Sequence, residues 1–99
     1  MKYEIDGKIV DSKKGKEYRE GQNHNGRNWI SLATGKQFEH ESLHVSTKGT
    51  FWIEEWSNYQ GSTQHARIVT KEEAAAWLTK NEYSAETIEK ITGLGDQSE

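Results

Sequence analysis

Residues 43–78 read LHVSTKGTFWIEEWSNYQGSTQHARIVTKEEAAAWL and carry the clearest local signals of the 99-residue chain. They include three of its four tryptophans. The run predicts a strand, a tight turn at Lys48-Gly49, an aromatic strand, a loop, a short strand and a helix. We therefore expect the remaining elements to pack around this unit.

The aromatic strand, predicted over residues 50–57, carries apolar side chains on both faces. Phe51 and Ile53 share one face, and Trp52 and Trp56 share the other, because side chains alternate along a strand. This pattern favours a central strand, or one covered by a helix on one side and by a partner on the other. The preceding strand, residues 37–47, alternates unevenly, which suggests that its inward face switches near Leu43 at a bulge.

The helix that follows has the most secure start signal in the chain. Residues 70–73, TKEE, form a capping box in which the Thr70 and Glu73 side chains each bind a backbone N–H of the other residue. An apolar stripe then follows at helical spacing, and the helix is predicted to end at Asn81. A second short helix is predicted over residues 85–92, with Ser84 as its N-cap and Gly93 after its last turn.

The N-terminal third is more polar. Asp6-Gly7 between short β-prone runs predicts a hairpin with strands 2–5 and 8–10. A further strand over residues 16–22 is supported only by Tyr18. Residues 22–28 are rich in turn formers and predict an exposed, mobile loop. Residues 29–32 are interpreted as a short strand or a loop that anchors in the core.

These elements predict one α+β domain over residues 1–94, with a frayed tail at residues 95–99. We expect an antiparallel β-meander of four to six strands, with one C-terminal α-helix packed on one face and a second short helix. Leu, Ile, Val and Phe supply only 16 of the 99 residues, but the net charge is only −3. The composition therefore indicates a folded chain with a small, aromatic-rich core rather than disorder.

Composition also bounds the setting of the protein. The chain has no cysteine, its N-terminus lacks the apolar run of a signal peptide, and no stretch approaches a membrane span. We therefore expect a cytoplasmic protein without disulfides and without a membrane partner. Residues 1–35 hold seven Lys or Arg against five acids, which is less basic than a dedicated duplex binder requires.

Three motifs resemble a known group of proteins. They are GKIVD at residues 7–11, TKGTFWI at residues 47–53 and IVTKEEAAAW at residues 68–77. This order is similar to that of small, mostly uncharacterised proteins of bacterial phages, plasmids and integrative elements. The resemblance covers roughly residues 7–80, with residues 15–32 unaligned. It implies a bacterial cytoplasm and a mobile-element gene, and it implies no activity and no site residues.

Catalytic and metal chemistry find little support in the sequence. No nucleophile elbow and no Gly-rich phosphate loop is present, and Glu54 and Glu55 would face opposite ways on a strand. His40 and His44 would lie about 13 Å apart on a strand, too far to share one ion. His24 and His65 could join a site only through the fold. We expect no cofactor and no enzyme; a metal-dependent enzyme is the least favoured alternative.

Binding to a protein partner, or self-association, is the favoured function. The two-faced aromatic strand and the small supply of core residues predict an exposed apolar patch, and such patches mark interfaces. The candidate contact residues are Arg27, Trp52, Trp56 and Tyr59, chosen because their patterns predict exposure.

Single-stranded nucleic-acid binding is the alternative. Trp52, Trp56 and Tyr59 could stack unpaired bases on one sheet face. The sequence favours the packing of Trp52 and Trp56 under a helix over base stacking, and Glu54 and Glu55 oppose a polyanion. The cations that would serve this function are Lys13, Lys14, Lys16, Arg19 and Arg27.

Overall fold

The computed structural model describes residues 2–24, 26–57 and 64–93. Within these ranges the chain forms an α+β fold of eight strands and two helices. The strands are β1 (Lys2–Ile5), β2 (Lys8–Asp11), β3 (Lys16–Arg19), β4 (Gln22–His24), β5 (Trp29–Ser31), β6 (Glu39–Val45), β7 (Phe51–Ser57) and β8 (His65–Ile68), and the helices are α1 (Lys71–Lys80) and α2 (Ala85–Thr92).

Four strands form a central antiparallel sheet in the order β3-β6-β7-β8. As the apolar pattern indicated, β7 is a central strand, with β6 and β8 on its two sides. The register of β6 against β7 is continuous, so the predicted bulge near Leu43 is wrong. Both faces of this strand pair are covered instead, which buries Ser42, Leu43 and His44 in succession.

The other four strands form two separate hairpins, β1–β2 and β4–β5, rather than extending one meander. The first turns at Asp6-Gly7, where both residues have positive φ, as a type I′ turn requires. The second was not predicted, because residues 22–28 were interpreted as a mobile loop. Residues 22–24 instead pair with residues 29–31 through backbone groups. A polar ribbon of this kind leaves no apolar periodicity in the sequence.

Helix α1 covers one face of the central sheet. Its capping box is formed as predicted: the Thr70 N–H donates to Glu73 Oε1 at 2.8 Å, and the Glu73 N–H donates to Thr70 Oγ1 at 3.0 Å. The apolar stripe of α1 then packs on the β6–β7 pair. The buried core of this layer comprises Ala33, Leu43, Phe51, Ile53, Val69, Ala74, Trp77 and Leu78.

The β1–β2 hairpin lies against the opposite face of the sheet. The ring of Tyr3 lies 5.7 Å from that of Trp52, and the Tyr3 hydroxyl donates to Glu54 Oε2 at 2.6 Å. Val10 of β2 is also buried. The fold therefore has three layers: helix, sheet and hairpin.

The second helix, α2, follows α1 and has a defined cap at each end. The Ser84 side chain accepts from the N–H of Thr87, and Gly93 ends α2 in the left-handed conformation, with φ of +75°. Within the described ranges, neither helix has the length and apolarity needed to cross a membrane. The predicted tail at residues 95–99 lies outside the described residues.

Candidate functional site

An open groove of about 640 Å³ lies on the sheet face opposite α1. Alternation along β6 directs His40 and Ser42 to this face while Leu43 points toward the helix. The register then places His40 directly across from Trp56 of β7. We call this concavity the Trp56 groove; it is lined by Glu17, Arg19, Glu20, Gln22, His40, Ser42 and Trp56.

A largely buried imidazole–carboxylate pair forms part of the groove lining. His40 Nδ1 lies 2.6 Å from Glu20 Oε2, and their side chains are only 12% and 7% exposed. Oε1 of Glu20 also accepts from the Ser31 hydroxyl at 2.6 Å and from the backbone N–H of Glu41 at 2.8 Å. The His40 ring in turn stacks on Trp56, with centroids 5.8 Å apart. The carboxylate thus fixes the imidazole, and the imidazole fixes the indole.

The neighbours of the His40–Glu20 pair determine what it could do chemically. A His–Glu pair can serve a nucleophile when a hydroxyl is accessible beside it. Ser42 lies two residues from His40 on the same face of β6 and lines the groove, but it is only 1% exposed. Glu20 contacts three partners, which is typical of a carboxylate that holds structure.

A second His–Glu pair lies beneath the β1–β2 hairpin. His44 Nε2 lies 3.1 Å from Glu54 Oε1. The other carboxylate oxygen of Glu54, Oε2, accepts a hydrogen bond from the Tyr3 hydroxyl. Burial, reinforced by the hydrogen bond and the negative charge of Glu54, raises the pKa of the Tyr3 hydroxyl well above its ordinary value. His44 stacks on Trp52 with ring centroids 4.3 Å apart. This cluster attaches the hairpin to the sheet.

Two ring nitrogens in this cluster are buried without a hydrogen-bond partner among the described residues. They are His44 Nδ1 and Trp52 Nε1. Each such group has a desolvation cost, on the order of 1–3 kcal/mol. The two nitrogens belong to rings of the Tyr3, Trp52 and His44 stack, so the desolvation cost is incurred together with this aromatic packing.

The Trp56 groove continues onto the β4–β5 ribbon. The register pairs Gln22 with Ser31 and His24 with Trp29, so these four side chains share one face of the ribbon. Gln22 lines the groove, whereas Ser31 is only 1% exposed and binds Glu20. Trp29 is 59% exposed, and its ring meets that of His24 edge-on at 4.9 Å. Gln22 therefore belongs both to the groove lining and to the ribbon face that carries Trp29.

The structure describes three of the four predicted contact residues, and their exposure differs. Trp56 is half-buried and lines the groove, and Arg27 is exposed between β4 and β5. Trp52 is fully buried, so the expectation that it is exposed is corrected: Tyr3 and His44 cover its ring. Tyr59 lies outside the described residues. Trp52 is therefore not available to stack a nucleic-acid base on this sheet face.

Several residues that lie at the surface or in the groove were not predicted from the sequence. Glu20 carried no signal, because its partners are distant in sequence. Trp29 could have been found, since it follows a polar, turn-rich stretch with Gly26 and Arg27 beside it. The most exposed large apolar side chains in the described ranges are Ile9, Trp29 and Phe38.

The histidines lie in four separate environments. His24 contacts Trp29, His40 pairs with Glu20, His44 pairs with Glu54, and His65 is exposed on β8. Across residues 2–24, 26–57 and 64–93, no group of three or more His, Cys, Asp or Glu side chains could hold a metal ion.

Comparisons with models of known protein families, with curated proteins and with solved structures return no match. The resemblance to mobile-element proteins therefore stays a prediction.

Proposed function

We propose that this chain is a non-enzymatic binding protein that receives a segment of a partner protein in the Trp56 groove. The observation that carries the proposal is a half-buried tryptophan, held by His40, in the wall of an open concavity. Tryptophans dominate the energetics of many protein interfaces, because they bury a large area in a central, desolvated position. A fixed indole also loses little freedom when a partner binds.

The charges in the groove favour a polypeptide over a polyphosphate. Glu17 and Arg19 are both exposed and carry opposite charges. They lie two residues apart in β3 and so share one face of that strand. Single-stranded nucleic-acid sites instead combine a positive groove with several stacking platforms. Because Trp52 is buried, the sheet face offers fewer platforms than its sequence suggested.

The β4–β5 ribbon extends the surface available to a partner. Trp29 and Arg27 are exposed, and the ribbon face that bears Trp29 is continuous with the groove through Gln22. Aromatic residues and arginine are enriched at interfaces, so both ends of this surface suit a protein contact. An extended partner segment fits this arrangement better than a single small molecule does.

The motif resemblance adds a setting to the proposal. It suggests a bacterial cytoplasmic protein of a phage, plasmid or integrative element. In that setting the partner is a host protein or a second copy of the chain.

A peptide selection tests the proposal. Random peptides displayed on phage are selected on the immobilised chain after depletion on a Trp56→Ala variant. We expect enriched peptides whose binding weakens at least tenfold in Trp56→Ala, since anchor truncations typically cost about 2 kcal/mol or more. Their addition to the ¹⁵N-labelled chain should shift the Trp56 indole signal and the backbone signals of residues 17–22 and 40–42.

The matched control is Ile9→Ala, which truncates a large apolar side chain that is 72% exposed and lies outside the groove. Peptide binding should be unchanged in this variant, and thermal unfolding should confirm that both variants fold. Recovery of no peptide that distinguishes wild type from Trp56→Ala would contradict the proposal. Tight binding of an oligodeoxythymidylate that Trp56→Ala abolishes would favour the nucleic-acid alternative.

A further inference from the structure

A second concave surface lies where the β1–β2 hairpin meets the turn between β6 and β7. Two adjoining concavities, of about 250 and 550 Å³, share Ile9, Val10, Ser46 and Thr47 in their linings. Among the described lining residues, none also lines the Trp56 groove. We call this surface the lysine cleft, after the side chains of Lys2, Lys8, Lys14 and Lys48 that line it.

The fold concentrates positive charge here, although the chain as a whole carries −3. The four lysines come from β1, β2, the turn after β2 and the turn after β6. Asp11 is the acid among the described lining residues, and its carboxylate already accepts from the backbone N–H of Lys13 at 3.0 Å. That hydrogen bond, and then the positive charges of Lys2 and Lys14, hold the pKa of Asp11 below its usual value. The cleft therefore has a net positive charge at neutral pH.

An exposed apolar side chain, that of Ile9, also lines the cleft; it lies on the face of β2 opposite to Lys8, across from the exposed Glu4 of β1. Ile9 is 72% exposed, more than Trp29 or Phe38, whereas its neighbour Val10 in the same strand is buried. Alternation along β2 turns Val10 inward and Ile9 outward. A partner that only neutralised the lysines would leave Ile9 in water, so the complementary ligand carries apolar groups as well as negative charge.

We propose that the lysine cleft docks an acidic segment of a partner protein in which carboxylates are interspersed with apolar side chains. Its carboxylates would pair with the ammonium groups of the cleft, and an apolar side chain would cover Ile9. This inference goes beyond the function proposed for the Trp56 groove and does not depend on it.

Two other polyanions fit less well. A nucleic-acid strand gains from aromatic platforms and from arginine forks, and the described lining of the cleft supplies lysines and an aliphatic side chain instead. An anionic membrane is flat on this scale, so it would cover the rim of a concavity and leave the 550 Å³ space beside Ile9 empty. A polypeptide segment can enter that space.

The test uses a short synthetic peptide that alternates Glu and Leu, added at millimolar concentration to the ¹⁵N-labelled full chain at low salt. We expect chemical-shift changes at residues 8–10 and 46–50. A peptide with Gln in place of Glu should bind more weakly, and so should the original peptide at high salt. The double variant Lys8→Gln with Lys48→Gln should weaken binding by roughly two- to thirtyfold, as expected for two exposed ion pairs.

The charge-matched control is Lys71→Gln with Lys90→Gln, which removes two exposed helical lysines outside the cleft. This control variant should bind the Glu/Leu peptide as tightly as the wild type does. The Ile9→Ser variant should bind the peptide more weakly than both the wild type and this control. The proposal is overturned if the peptide shifts no signal in the cleft, or if both double variants bind equally. It is also overturned if an oligodeoxythymidylate or phosphatidylserine vesicles perturb residues 8–10 and 46–50 at lower concentration than the peptide does.

Discussion

Asn81 Oδ1, at the end of α1, accepts a hydrogen bond from the backbone N–H of Gly21 at 2.8 Å, across sixty residues of sequence. The Asn81 amide also donates to the carbonyl of Trp77 at 2.8 Å, and the residue is only 4% exposed. A Cβ on Gly21 would lie 2.8 Å from the backbone oxygen of Asn81, so glycine is needed for this approach. The contact joins the helix layer to the segment that carries Glu20 and begins β4.

Replacing Asn81 by Ala should destabilise the fold by about 1–3 kcal/mol. The substitution leaves the partly buried N–H of Gly21 without its acceptor. It also removes the donor to the carbonyl of Trp77. Urea unfolding followed by tryptophan fluorescence measures the change in the free energy of unfolding.

Thr79→Ala is the matched control, because it removes a side chain that also bonds within α1 but is exposed to solvent. Its effect should stay within about 0.5 kcal/mol. If Asn81→Ala costs no more than Thr79→Ala, the link to Gly21 contributes no stability and the inference is wrong.

Gly15 provides a second test, because two separate effects exclude a side chain there. Its φ is +79°, and a Cβ would overlap the carbonyl oxygen of Val45, opposite the start of β3. Gly49 has a similar φ of +88°, but a Cβ there would meet nothing within 4 Å. Gly49→Ala should therefore cost only the left-handed backbone penalty, roughly 1–2 kcal/mol.

Gly15→Ala should cost clearly more than Gly49→Ala, since the β3–β6 pair must shift to admit the methyl group. Thermal unfolding of the two variants under the same conditions gives the difference. Equal melting temperatures would mean that the close approach of Gly15 to Val45 does not constrain the sheet.

The parts of the fold that the sequence predicted are those whose signals are contiguous. The capping box at Thr70, the Asp6-Gly7 turn and the Gly93 end of α2 each depend on residues within one or two turns of chain. The apolar period of β7 also indicated its central position correctly. Local hydrogen-bonding preferences and side-chain alternation are sufficient for such features.

The candidate site was less predictable, because its contacts join distant residues. Nothing near Glu20 indicates that it binds His40, and nothing near Trp52 indicates that Tyr3 covers it. The exposure expected for Trp52 followed from its strand face, but that face is covered by a hairpin from the other end of the chain. Which surface of a two-faced strand stays open is decided by tertiary packing.

The capping box makes a quantitative prediction for α1. Thr70→Ala removes the acceptor of the Glu73 N–H and should destabilise the chain by about 1 kcal/mol, within a range of roughly 0.5–2 kcal/mol. Thr70→Ser keeps a hydroxyl oxygen in the same place and should lose much less. Circular dichroism during urea unfolding measures both. An Ala variant as stable as the Ser variant would show that the cap is not formed.

Tyr3 gives the fold a dependence on alkaline pH. Burial and the contact with Glu54 raise the pKa of Tyr3 in the folded chain, whereas the unfolded chain keeps the ordinary value near 10. Below about pH 9 both states hold the proton, so the contribution of Tyr3 to stability is fully present and constant. Above about pH 10 the unfolded state releases the proton first, and the free energy of unfolding falls as pH rises.

Tyr3→Phe separates this effect from other alkaline titrations. At neutral pH the variant should be less stable than the wild type by about 1–3 kcal/mol, because the hydrogen bond to the Glu54 carboxylate is lost. The difference should shrink between about pH 9 and 11, since only the wild type can lose the Tyr3 proton on unfolding. Tyr83 also has a raised pKa, chiefly from burial, so Tyr83→Phe in both backgrounds controls for its share. Urea unfolding across this range tests the prediction: a stability difference that stays constant with pH would contradict a half-buried Tyr3 that is hydrogen-bonded to Glu54.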